Sequence, residues 1–285
     1  MKSKCIAGIV TCNPEIDRLK AVVASAICQV AEVIIVDNNS TNINEIRSLQ
    51  DCYGNLLVVE NKENQGIARA LNQIFEVAVE RNYEWVLTLD HDTICDIKMV
   101  DTLFDGVIDD SIGIVCPSVL YEGVDFKMKG YGKTGLEDVY ACMTSGSLTR
   151  VAAWQKVGGF NDEYFIDFVD NEFCMKLKIN NYRILRNHAC EMKHSLGEPL
   201  TIKTLFGEVS VVTHKPWRFY YMVRNNLVFI CQYRKYLRIL REYAKLAKII
   251  SGGLRYSIDR KQTWKYIKLG YIDAKRGVLG KMKEQ

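Results

Sequence analysis

The feature that most restricts the fold is a repeating alternation over the first 117 residues. Short apolar, β-prone runs occur at Cys5 to Thr11, Val33 to Val36, Leu56 to Val59, Trp85 to Leu89 and Ile112 to Val115. Between the first two runs, Leu19, Val22, Val23, Ala26, Ile27 and Val30 recur at three-to-four spacing. Between the third and fourth, Ile67, Leu71, Ile74, Phe75 and Ala78 do the same. That period puts each set on one helix face, whereas short continuous apolar runs read as strands covered on both sides. A strand every 23 to 29 residues, with an amphipathic helix between, predicts βαβ units and a parallel sheet. The expected class is α/β. Residues 118 to 200 lose the simple alternation and carry Gly-punctuated loops, which suits a mixed completion of the sheet. Beyond Lys215 the pattern becomes helical, basic and rich in Tyr.

A chain of 285 residues that is 48% apolar and 10% aromatic can bury a sizeable core and is too apolar for disorder. Its longest apolar runs are pieces such as Val33–Val36 and Leu227–Cys231, far short of the roughly 20 residues that span a bilayer. The opening MKSKCIAGIV reads as a first strand, not a secretory signal. No two of the ten cysteines are three apart, so neither a zinc knuckle nor a redox pair is spelled out. Reduced core thiols in a cytoplasmic protein are expected. The net charge of +4 conceals an asymmetry: residues 1–214 hold 20 Lys+Arg against 30 Asp+Glu, and residues 215–285 hold 18 against 4.

Parallel sheets bind ligands beyond the carboxyl ends of their strands. There the chain places Thr11-Cys12-Asn13, Asp37-Asn38-Asn39-Ser40 and Asp90-His91-Asp92-Thr93. Two carboxylates one residue apart just past a buried strand repel unless a cation lies between them, and oxygen ligands favour Mg²⁺ or Mn²⁺. The competing reading makes Asp92 or Thr93 the cap of the next helix. Asp37 suits the imide N–H of a uracil or thymine ring, or else simply builds an Asx turn. Gly66 opens a helix whose N-terminus suits an anionic group, and small residues at 66, 68 and 70 equally suit close helix packing. The segment from Gly158 to Cys174 interleaves carboxylates with aromatics. Asp170 there reads as a general base or as the start of a helix, with Asp167 and Glu172 as second choices. His194, in His194-Ser195-Leu196-Gly197, is a further ligand candidate.

Taken in order, VDNNS, NQGIARALN, Asp90-His91-Asp92, Thr144-Ser145-Gly146-Ser147, GGFNDEYFIDFVDNEFC and HSLG resemble the inverting family-two glycosyltransferases of the GT-A fold. The bacterial rhamnosyltransferases are most similar, with galactofuranosyltransferases next. The resemblance implies a Rossmann-like α/β/α sandwich with a mixed, mostly parallel sheet over residues 1–214, divided into a nucleotide-sugar half (about 1–117) and an acceptor half (about 118–214). It implies a donor set of Thr11, Asn13, Asp37, Asn39, Gly66, Arg69, Asp90, His91, Ser145 and Gly146. It also implies a metal set of Asp90, Asp92 and His194, and Asp170 as the base. Where many members have Glu-Asp, this chain has Val169-Asp170. The implied donor is dTDP-rhamnose or a UDP-sugar, and the acceptor is a glycan or lipid-linked hydroxyl in bacterial surface polysaccharide synthesis. A nucleotidyltransferase and a non-catalytic nucleotide-sugar-binding subunit are the rival readings.

A Tyr-Tyr-x-x-Arg-Asn segment like that at 220–225 follows the catalytic domain in the resembled family. The basic, aromatic helical region 215–285 suits an anionic membrane surface, which implies peripheral attachment to the inner face of the plasma membrane. A solvated helical cap or a homo-oligomer interface is the competing reading. No recognised nucleic-acid module accompanies the charge.

Overall fold

The computed structural model describes residues 2–122, 133–195, 199–204, 207–212 and 214–283. It divides into two compact units, Met1–Asp162 with Val169–Ser195, and Glu163–Phe168 with Leu196–Gln285.

The first unit carries β1 (Cys5–Thr11), β2 (Glu32–Asp37), β3 (Leu56–Glu60), β4 (Trp85–Asp90), β5 (Ile112–Glu122), β6 (Leu136–Asp138), β7 (Ser147–Arg150) and β8 (Arg183–Ser195). They form one sheet in the order β3-β2-β1-β4-β7-β5-β8-β6. β1 to β4 pair in parallel, as do β5 and β8, while β7 runs against both its neighbours and β6 against β8. The sheet is mixed and mostly parallel, as the resemblance to the GT-A glycosyltransferases implies. Helices α1 (Ile16–Ile27), α2 (Ile43–Ser48), α3 (Ile67–Glu80), α4 (Met99–Phe104), α5 (Val151–Val157) and α6 (Val169–Ile179) connect the strands.

Ile6, Ile9, Ile34 and Ile35 are fully buried. Consecutive buried residues on one strand fill both faces of the sheet, so its sequence shows no alternation, and each such side chain contributes about 1.5–3 kcal/mol. A Cβ at Gly8 would lie 2.3 Å from Ile74, so α3 rides that close to β1 only because the strand has glycine there. From β1 the chain goes outward to β2 and β3, then returns to place β4 on the other side of β1. That reversal opens a crevice at the carboxyl ends of β1 and β4.

The second unit holds the hairpin β9 (Pro199–Thr204) and β10 (Gly207–Val212), then α7 (Arg218–Gln232), α8 (Ile239–Tyr256) and α9 (Arg260–Arg276). Phe219, Val223, Leu246 and Ile267 form its helical core. Gly270 lets α9 approach α7 closely, since a Cβ there would lie 2.4 Å from the Tyr220 carbonyl oxygen. Tyr233–Arg238, whose composition reads as continuous with α8, is a turn. Among the described residues no helix is long and apolar enough to cross a membrane.

Candidate active site

Thr11 and Asp37 are register partners at the ends of β1 and β2. The Asp37 carboxylate is 1% exposed. Its Oδ1 accepts from the Thr11 hydroxyl at 2.7 Å and the Ser40 hydroxyl at 2.5 Å, and its Oδ2 from the Ser40 amide at 2.8 Å. A carboxylate offers about four acceptor positions, so one on Oδ2 is left over by these three bonds. The Asx turn is therefore real, and it leaves an acceptor rather than consuming it. Asn13 and Asn39 both adopt positive φ, 51° and 66°, a conformation asparagine tolerates. The Asn13 amide donates to Ser40 Oγ (2.7 Å), and its Oδ1 accepts from the amide and hydroxyl of Thr41. These bonds lock the two strand-end turns together. Asn38 ties the same place to α3, donating to the Gly66 carbonyl at 3.0 Å. Gly66, the N-cap of α3, has φ 88°.

Asp90 ends β4 beside β1, and Asp90, His91 and Asp92 are all half-buried. The helix-cap alternative fails, because the next helix starts at Met99, six residues beyond Thr93. Instead, the turn is held from outside. The Asp90 amide donates to Ser145 Oγ (2.9 Å), which donates in turn to Thr93 Oγ1 (2.9 Å). Arg18 Nε binds the Asp92 carbonyl (2.8 Å), and the Gly146 amide binds the Thr88 carbonyl (2.7 Å). Gly146, at φ 79°, is required: a Cβ there would meet Met192 Sδ at 2.4 Å. Ser145 and Gly146 thus brace the acidic turn. A pair of half-exposed carboxylates fits the way Mg²⁺ or Mn²⁺ is held, by one or two carboxylates plus phosphates and water. Among the described residues no third His, Cys, Asp or Glu completes a cluster. The backbone of His194, in β8, pairs with Tyr121 of β5, but its side chain lies outside the described residues.

Asp170 lies in the first turn of α6, where its Oδ1 accepts from the Asn171 amide at 2.8 Å. It lines a cleft of about 210 Å³ with Pro117, Cys142, Met143 and Arg186. Arg186 Nε is buried there without a hydrogen-bond partner among the described residues. Glu172, 1% exposed, lies 3.4 Å from Lys176. Arg69 pairs with Glu76 on its own helix and lines a second cleft, of about 530 Å³, with Trp154, Asn161 and Asp162. Asn72 closes the floor of that cleft. Its side chain donates to the Phe160 carbonyl (2.8 Å) and to Asp162 (2.6 Å), and accepts from Trp154 and the Phe160 amide.

In the second unit, the loop 163–168 just ahead of Asp170 is strained. Phe165, Asp167 and Phe168 have φ of 52°, 64° and 66°. α7 holds it in that shape. The amide of Asn225 donates to the carbonyls of Tyr164, Ile166 and Asp167 at 2.7, 2.8 and 2.9 Å. Arg218 forks onto the Asp167 carboxylate, and Phe165 stacks on Tyr221. The Tyr-Tyr-x-x-Arg-Asn segment is thus a clasp for this loop. Arg218 together with burial also holds the pKa of His214 below its ordinary value, burial being the larger cause.

The sequence reading passed over Ser40, Asn72, Arg186 and Asn225 as individual residues. Asn72 had a signal, since it is a polar residue on the helix face shared by Leu71 and Phe75. For Asn225 there was none beyond its motif. All ten cysteines are free, but Cys12, Cys28, Cys52 and Cys231 are exposed rather than in the core.

Solved structures give the fold. The Staphylococcus aureus TarS fragment 1–349 in complex with UDP-GlcNAc superposes with a TM-score of 0.63 at 17% identity, over 96% of this chain and 81% of that one. GalNAc-T7 with UDP, GalNAc and Mn²⁺ gives 0.60 at 14% identity, over 97% of this chain and 58% of that one. The fold is GT-A. Residues 7–162, more than half the chain, match glycosyl transferase family 2, so the chain belongs to that family and is a glycosyltransferase. The dTDP-rhamnosyl transferase RfbF of Shigella flexneri is 26% identical over 300 aligned residues, spanning 98% of both proteins.

Proposed function

We propose that this protein transfers a sugar, with inversion at the anomeric carbon, from a pyrimidine nucleoside diphosphate to a hydroxyl of a glycan or lipid-linked acceptor. The observation that carries the reading is four acids of one unit in three different settings. Asp37 is caged by hydrogen bonds with one acceptor position left, Asp90 and Asp92 form a braced half-exposed pair, and Asp170 lines its own cleft.

In this reading Asp37 accepts the imide N–H of the base, with Thr11, Asn13 and Asn39 shaping the pocket around it. Asp90 and Asp92 would hold Mg²⁺ or Mn²⁺, which when bound offsets the charge growing on the leaving diphosphate. Ser145 and Gly146 keep that turn in place, and His91, Gly66 and Arg69 complete the donor side. Asp170 takes the proton of the acceptor hydroxyl as it attacks the face opposite the nucleotide. Asp167 is engaged by Arg218 and Glu172 is shut in beside Lys176, whereas Asp170 lines an open cleft that an acceptor could enter.

Likeness to the Shigella flexneri rhamnosyl transferase makes dTDP-rhamnose the first choice of donor, ahead of a UDP-hexose or a galactofuranosyl donor. The basic region supports work at the inner face of a membrane in surface polysaccharide synthesis. Trp264, Lys268, Tyr271 and Lys275 are exposed at one-turn intervals along α9. The test is a donor panel: dTDP-rhamnose and several UDP-sugars with Mn²⁺ and lipid-linked glycan acceptors. Nucleotide release with dTDP-rhamnose, abolished by a chelator, is expected. No release with any donor would sink the reading in favour of a non-catalytic nucleotide-sugar-binding subunit.

A further inference from the structure

The second unit contains a cleft of its own, of about 530 Å³, along α7 and α8. Its volume falls in the range of roughly 300–1,000 Å³ typical of small-molecule sites. Phe219, Met222 and Ile249 give it apolar walls, and Lys248 and Arg255, both exposed, stand one on each side of Gly252 in the helix sequence. None of the described residues lining it is acidic.

The composition of α8 at this point is unusual. Gly252 and Gly253 sit in a helix interior, where each glycine costs about 1 kcal/mol relative to alanine. Gly253 is accounted for, because a Cβ there would lie 2.2 Å from the Phe219 ring. Gly252 is not: a Cβ at that position meets nothing within 4 Å. Packing in the structure gives no reason for its missing side chain, yet Gly252 lines the cleft. What the glycine preserves is empty, apolar-walled space next to two cations.

We propose that this cleft binds an amphiphile, a single hydrocarbon chain ending in a phosphate. The chain lies over Gly252 against Phe219, Met222 and Ile249, and the phosphate is met by Lys248 and Arg255. An apolar pocket with few polar groups at its rim is what orients such a ligand, and the exposed ammonium and guanidinium supply the matching charge. The cleft's lining includes none of Asp37, Asp90 and Asp170, and its occupancy is measured without a sugar donor, so it stands or falls apart from the transferase reading.

The test is calorimetric titration of the full chain with dodecyl phosphate below its micelle concentration. Dodecanol-derived neutral maltoside of the same chain length and inorganic phosphate serve as the other two probes. One saturable site for dodecyl phosphate is expected, with at least tenfold weaker binding of the neutral amphiphile and none of inorganic phosphate. Gly252→Leu fills the space while improving helix propensity, so it should keep its melting temperature and bind at least tenfold more weakly. Lys248→Glu with Arg255→Glu should erase the preference for the phosphate head. Wild-type affinity in Gly252→Leu would place the lipid elsewhere, for example on the exposed aromatic stripe of α9, and overturn the proposal. Equal binding of charged and neutral amphiphiles, or no binding, would overturn it as well.

Discussion

Replacing Asn225 is the sharpest perturbation of the loop that leads into Asp170. Its side-chain amide has two hydrogens for three carbonyl oxygens at 2.7–2.9 Å, so one hydrogen is shared. Asn225 is fully buried, and Asn225→Ala leaves those carbonyls short of donors at about 1–3 kcal/mol for each one left unsatisfied. The amide also restrains a stretch in which three non-glycine residues hold positive φ, each worth about 1 kcal/mol or more of strain. With two donors lost, the clasped shape loses about 2–6 kcal/mol, and the strain it holds, about 3 kcal/mol or more over three residues, then drives the loop to relax. Phe168 is two residues from Asp170, so relaxation displaces the proposed base. A lost kcat of at least tenfold is expected, equivalent to about 1.4 kcal/mol of barrier. Asn225→Asp keeps the acceptor for Arg224 but removes both donors, and should be as damaging. Amide exchange across 163–170 read alongside kcat is the assay. Unchanged protection in 163–168 together with wild-type kcat in either variant would refute the reasoning.

Two further outcomes follow from the nucleotide side of the site. Asp37→Asn replaces acceptors with an amide facing the Thr11 and Ser40 hydroxyls and the base, so affinity for dTDP or UDP, by calorimetry, should fall at least tenfold with a stability loss of about 1–2 kcal/mol in urea unfolding; unchanged affinity would remove Asp37 from the base pocket. Cys12, exposed between Thr11 and Asn13, still has a partly desolvated thiol, and that desolvation, with a smaller push from Asp37, raises its pKa above the ordinary value of 9.0. Its alkylation at pH 8 should therefore be slower than that of a free thiol of ordinary pKa, and dTDP or UDP should slow it further while leaving Cys231 unprotected. Equal protection of both, or of neither, in peptide mapping would contradict that placement.

Much of the first unit was legible because its signals are local. Strands β1 to β4 begin and end within one residue of the apolar runs, since a strand buried on both faces has to be continuously apolar. Asp37 and Asp90 were legible for a related reason: a carboxylate terminating such a run can only lie at the crevice end of the sheet. What the sequence hides is long-range bonding. Asn72 and Phe160 are 88 positions apart, and nothing in either segment announces that one side chain closes the other's turn. The clasp of Asn225 on Tyr164 spans 61 positions, so its motif could be seen but not its role. The break between α7 and α8 escaped notice because Tyr233–Arg238 contains neither Gly nor Pro, and its residues suit a helix as well as a turn.

The most direct measurement of the central claim compares Asp170→Asn with the wild type in one assay of donor binding, transfer rate and anomeric configuration of the product by NMR. The substitution removes the proton acceptor while keeping the side chain's size and its capping oxygen for the Asn171 amide. The expected result is unchanged dTDP-sugar affinity, a transfer rate lowered by at least a hundredfold, and an inverted anomeric centre in the wild-type product. Near wild-type transfer by Asp170→Asn, or retention of configuration, would contradict it.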